Sequence, residues 1–73
     1  MKDRSDRPQW ATSIREARIK RSLSQIQLAK KIGITNVSLS QIENGAANPS
    51  IYIVKKIADK LNYRIKLIFE EWV

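Results

Sequence analysis

This sequence predicts a small, mainly α-helical domain of four helices followed by one C-terminal β-strand. Three observations predict it. Residues 24–45 read as two short helices joined by a tight turn, residues 50–62 carry a further apolar stripe at helical spacing, and residues 63–73 change to a period of two. The 73 residues suit one domain, with a flexible basic tail over 1–9, a helical body over 10–62 and the strand over 63–73. So short a chain buries only a modest core, and self-association is the natural way to add to it. Cysteine and histidine are both missing, so disulfides and a structural zinc site are not expected as staples.

The tail, MKDRSDR, alternates charge sign and has no apolar residue beyond the initiator, so nothing ties it to a core. Its cations could touch phosphates as an arm, although a solvated end is the simpler reading. Pro8 suits the first turn of a helix, with Asp6 or Thr12 as candidate caps. Ile14, Ala17 and Arg18 share one side of this first helix, and Arg15, Lys20 and Arg21 share the other. Trp10, one turn before Ile14, covers either the edge of the core or a second subunit.

Ser24 followed by Gln27 makes a capping box for the second helix, and Leu28, Ala29 and Ile32 give it an apolar stripe. Gly33 can take the left-handed conformation that closes a helix, and Thr35 caps the next one after a single intervening residue. The third helix is predicted over residues 36–44, with Leu39 and Ile42 inward and Gly45 ending it. Its other face, made of Asn36, Val37, Ser38, Ser40 and Gln41, carries no formal charge in a strongly basic protein. Amides and hydroxyls can read base edges, and a valine can touch a thymine methyl. Ser50 caps the fourth helix, whose Ile51, Val54, Ile57, Ala58 and Leu61 predict one buried face, and Asn62 ends it.

Residues 63–73, YRIKLIFEEWV, set Tyr63, Ile65, Leu67 and Phe69 against Arg64, Lys66, Ile68 and Glu70. A lone strand leaves backbone polar groups unpaired, and no second strand is evident in the chain. Pairing with the same strand of another copy, antiparallel across a two-fold axis, satisfies them. A fifth helix is the alternative, because Ile65, Phe69 and Trp72 also fit a helical face.

Charge points to a partner. Fourteen basic side chains oppose seven acidic ones, a net charge of +7. Residues 1–31 hold nine basic and three acidic side chains, residues 32–54 hold only Glu43, and residues 55–73 hold five basic and three acidic. A basic frame around a neutral, hydrogen-bonding centre suits a protein that grips phosphates at its edges and reads bases in the middle. Anionic lipid is the competing partner on composition alone, but the apolar runs are far too short to span a membrane. The amino terminus is charged rather than signal-like, and the expected location is the cytoplasm.

The ordered set of Ser24-Gln25, Leu28-Ala29, Gly33, Thr35, Ile42-Glu43-Asn44-Gly45 and Pro49-Ser50 resembles the helix-turn-helix of the XRE class, the DNA-binding regulators that include phage repressors and Cro proteins. The likeness covers roughly residues 14–61 and implies a four-helix, repressor-like fold. With LAKKIGI in the second helix and a terminal strand, the layout is similar to HipB-like antitoxins. The resemblance implies that Asn36, Val37, Ser38 and Gln41 lie at base edges in the major groove, and that Arg18 and Glu43 form a structural ion pair. A lone carboxylate at the end of such a helix would repel DNA unless a cation neutralised it. Ser22 stands where the class usually has a glycine.

Phosphate contacts are expected from Ser24, Gln25 and Gln27 at the positive end of the second helix, from Asn44, Ala46 and Asn48 in the following loop, and from Arg15, Lys30 and Arg21. Tyr63, Ile65, Leu67, Phe69 and Trp72 are expected at a homodimer interface. Serines without a base partner, scattered acids and no phosphate-cradling glycine loop argue against an enzyme, and no cofactor or metal is expected. The expected function is a sequence-specific DNA-binding transcriptional regulator, a repressor on a palindromic operator, with double-stranded DNA and a second copy as partners. The alternative is an antitoxin that neutralises a toxin and autoregulates its operon.

Overall fold

Hydroxyl caps open three of the four helices. In this computed structural model, which describes residues 7–66, the helices are α1 (Gln9–Lys20), α2 (Gln25–Ile32), α3 (Asn36–Glu43) and α4 (Ile51–Leu61). Ser24, Thr35 and Ser50 each accept a hydrogen bond from the backbone N–H three residues on, and Gln27 closes the box at Ser24 by accepting from the Ser24 N–H at 2.8 Å. Each cap satisfies one of the amides that a helix start leaves unpaired, an effect of about 1 kcal/mol. The cap position of α1 is not Thr12. Pro8 occupies that position without a side-chain bond, and Thr12 lies inside the helix; Asp6 is outside the described residues. Gln9, expected in the tail, is the first residue of α1.

A residue with positive φ follows each of the four helices. Gly33 (φ 79°) ends α2 and Asn62 (φ 63°) ends α4, both as the sequence suggests. Ser22 (φ 59°) takes the same conformation between α1 and α2, at the place where a glycine would adopt it without strain. Asn44 caps the end of α3, and Gly45 (φ 76°) follows it.

The core is built from one stripe of each helix. Leu28, Ala29 and Ile32 of α2 meet Leu39 of α3 and Ile57 and Leu61 of α4, with Ile14, Ala17, Leu23, Ile34 and Ile53 packed against this cluster. Ala11 is fully buried as well, and its methyl group lets α1 lie close to its neighbours. The predicted face of α4 is only partly covered. Ile57 and Leu61 are buried, Val54 and Ala58 are half-buried, and Ile51 is 60% exposed, contrary to the expectation that it closes the core. Ile51 instead borders an open apolar groove of about 610 Å³ between α1 and α4, lined also by Trp10, Ile14, Ala17, Val54 and Ile65.

Residues 63–66 form neither helix nor strand, and the rest of the predicted strand, residues 67–73, lies outside the described residues. Among the described residues, no helix is long and apolar enough to cross a membrane.

Candidate nucleic-acid interface

At 100° per residue, Asn36, Ser40, Val37 and Gln41 fall within one arc of about 140° on α3. Leu39, Ile42 and Glu43 occupy the other side and are buried, which turns the uncharged arc outward. Asn36 and Gln41 are exposed, and Val37 is 65% exposed. Ser38 sits at the edge of the arc. It is half-buried, its N–H is held by Thr35 Oγ1 at 3.0 Å, and its hydroxyl accepts from the Thr35 hydroxyl at 2.9 Å, so it has less freedom to turn outward than its neighbours.

Glu43, one turn beyond this surface, is drawn entirely into the interior. Arg18 Nε donates to its Oε2 at 2.7 Å and Nη2 donates to Oε1 at 3.0 Å, a two-point bond between α1 and α3. Arg18 Nη1 also donates to the Leu23 carbonyl at 2.7 Å, tying in the loop before α2. The side chains are 10% and 1% exposed, and no buried side-chain polar atom among the described residues lacks a partner. The carboxylate's charge is therefore matched inside the protein and does not face a ligand on α3.

The amino end of α2 lies open beside this pair. Ser24 and Gln27 are exposed but occupied with each other, leaving the backbone amides of Gln25 and Ile26 at the positive end of the helix dipole. The Gln25 side chain is half-buried, and its Nε2 donates to Glu43 Oε1 at 3.1 Å. The amide expected to meet a phosphate thus already braces the carboxylate, and the backbone N–H of Gln25 is the group that remains available. Lys30 is exposed in the last turn of α2, whereas Arg15 is half-buried on α1. Arg21 is directed elsewhere: its Nε donates to the Leu61 carbonyl at 2.8 Å and its guanidinium stands 4.8 Å from the centre of the Tyr63 ring.

Asn44 is exposed at the end of α3, and Arg7 Nη2 donates to its Oδ1 at 3.4 Å. Sequence reasoning did not bring Arg7 to this place, because neither charge alternation nor periodicity reports a contact between residues 37 positions apart. Of the residues expected at a dimer interface, Tyr63 and Ile65 are exposed beside the α1–α4 groove, and Leu67, Phe69 and Trp72 lie outside the described residues.

A family model described as helix-turn-helix matches residues 14–68, most of the chain. The chain belongs to the XRE-type helix-turn-helix family of transcriptional regulators. An uncharacterised HTH-type transcriptional regulator of Archaeoglobus fulgidus is 41% identical to this regulator over 58 residues, covering 80% of this chain and 83% of the relative. Among solved structures, the restriction-modification controller protein C.AhdI from Aeromonas hydrophila shares 29% identity over 75% of this chain and 80% of its own, with a TM-score of 0.73. A chain of the HipA-HipB-O2-O3 complex shares 30% identity over 86% of this regulator and 89% of its own length, with a TM-score of 0.70. The helix-turn-helix of the regulator is the α2–Gly33–α3 unit.

Proposed function

We propose that this regulator is a sequence-specific repressor that acts in the cytoplasm and binds a near-palindromic operator as a homodimer, laying α3 of each protomer in the major groove. The observation that supports this reading is the outward arc of α3: amides, hydroxyls and one branched apolar side chain, with the nearest carboxylate neutralised inside. Asn36 and Gln41 each offer a donor and an acceptor in fixed geometry, the pair that matches the exposed edge of adenine, and Val37 suits a thymine methyl. Ser38 contributes from the edge. The Gln25 and Ile26 amides, Ser24, Gln27, Asn44, Lys30 and Arg15 hold phosphates and fix register.

Dimerisation follows from size. One domain makes too few contacts to discriminate within a genome, and two copies on half-sites about one helical turn apart supply the rest. The open α1–α4 groove and the apolar residues that follow it, Leu67, Phe69 and Trp72, favour the tail as the joint. Selection from random duplexes tests both ideas together. The full chain should return an inverted repeat with that spacing, and a chain ended at Asn62 should be monomeric by sedimentation equilibrium and lose tight binding to it. A selected pool without symmetry, or a truncated chain that still dimerises, contradicts the proposal.

The likeness to a chain of the HipA-HipB-O2-O3 complex favours a second reading, an antitoxin that neutralises a toxin and regulates its own operon. A toxin frame transcribed with this one would support it, and a phage or restriction-modification neighbourhood would support the free-standing repressor.

A further inference from the structure

The recognition surface has a deficit of cations. Between residues 32 and 54 there is no lysine or arginine, and the one charged side chain, Glu43, is negative. DNA affinity comes largely from phosphate neutralisation, so the far end of α3 must borrow its positive charge from elsewhere in the chain. The fold supplies a lender. Pro8 lies directly against Gly45, so closely that a Cβ at position 45 would collide with the Pro8 ring, and the stem of Arg7 packs beside it. Gly45 is thus required twice, for its positive φ and for the approach of the proline. Pro8 has a φ of −59° and immediately precedes α1, so the direction in which the chain arrives at Gly45 is set by rigid parts on both sides. Arg7 is delivered to Asn44, where one of its five donors is used at 3.4 Å and the others have no partner among the described residues.

We propose that Arg7 is a phosphate-gripping residue of the DNA interface, carried to the carboxy-terminal end of the recognition helix by the Pro8–Gly45 contact. The proposal rests on the DNA-binding reading above and adds a cation that belongs to α3 in space but to the amino-terminal segment in sequence. Its partner is the sugar-phosphate backbone flanking the bases read by Gln41, and its contribution is independent of base sequence. The arginine fork can hold a phosphate oxygen while keeping Asn44 in place, so the two residues act as one clamp.

The test is the salt dependence of binding by the full-length protein to a mixed-sequence DNA duplex, followed by fluorescence anisotropy in KCl from about 50 to 200 mM. Arg7→Gln should bind more weakly at the low-salt end, and its slope of log affinity against log salt should be shallower than wild type by about 0.9 per protomer. Arg7→Lys should keep the wild-type slope. Lys60→Gln removes the same charge from an exposed position in the last turn of α4, outside the helix-turn-helix, and should also keep the wild-type slope. A slope for Arg7→Gln equal to that of wild type overturns the proposal, as does an equal change in Lys60→Gln, which would reduce the effect to net charge. Failure of the wild-type protein to bind any duplex at low salt would overturn the DNA reading itself, and it would be seen before any variant is compared.

Discussion

Glu43 decides what the outward side of α3 can be. A carboxylate at that position, left free, would oppose the approach of a polyanion; drawn inward, it joins α1, α2 and α3 through Arg18 and Gln25. A buried pair of this kind fixes an arrangement more than it adds stability, and the loss of one partner strands the other charge. Glu43→Gln alone should therefore destabilise the domain by about 3–5 kcal/mol in urea unfolding, whereas Arg18→Met combined with Glu43→Leu should recover most of the loss. Additive losses in the double variant would show that the two side chains are independent. The pair was legible in the sequence through the resemblance to the XRE class, whose matching positions Arg18 and Glu43 occupy; that Glu43 is the only acid between residues 17 and 58 made a neutralising cation physically reasonable. The part played by Gln25 was not, since an amide at a helix start has several possible acceptors and only the packed structure selects one. Arg7 was less legible still: its place depends on a proline meeting a glycine across the fold.

Helix ends were the most readable elements, because caps and left-handed stops act within four residues of chain. The connection between α1 and α2 shows what such local rules foretell. Ser22 holds a φ of 59°, a conformation that costs a residue with a Cβ about 1–2 kcal/mol. Replacing it with glycine removes that strain but adds backbone entropy to the unfolded chain, about 0.4–1 kcal/mol in the other direction. The net expectation for Ser22→Gly is a gain of about 0.5–1 kcal/mol, read as a higher urea midpoint with an unchanged slope. A lower midpoint would mean that the serine side chain stabilises the turn. The face of α4 was read less well. Its spacing places Ile51 in line with Val54, Ala58 and Leu61, but periodicity states only which residues share a side, and no described element covers that end of the helix.

The molecule as a whole separates two tasks. The proposed reading surface is neutral and lies on a single helix; the cations come from the flanking segments, with the amino end of α2 and, by our proposal, Arg7 at the two ends of the helix-turn-helix. In the proposed dimer, the joining of two copies falls to the α1–α4 groove and the segment that follows α4. This division was visible in the sequence as a charge distribution, whereas the groove was not, because a partly covered face depends on how α1 and α4 diverge. The division implies that affinity and selectivity respond to different substitutions. The most direct measurement compares Gln41→Ala with wild type on the selected operator and on a mixed-sequence duplex at one salt concentration. The expected result is a loss of about 1–3 kcal/mol on the operator and little change on mixed sequence. Equal losses on the two duplexes would contradict the claim that the uncharged face of α3 reads bases.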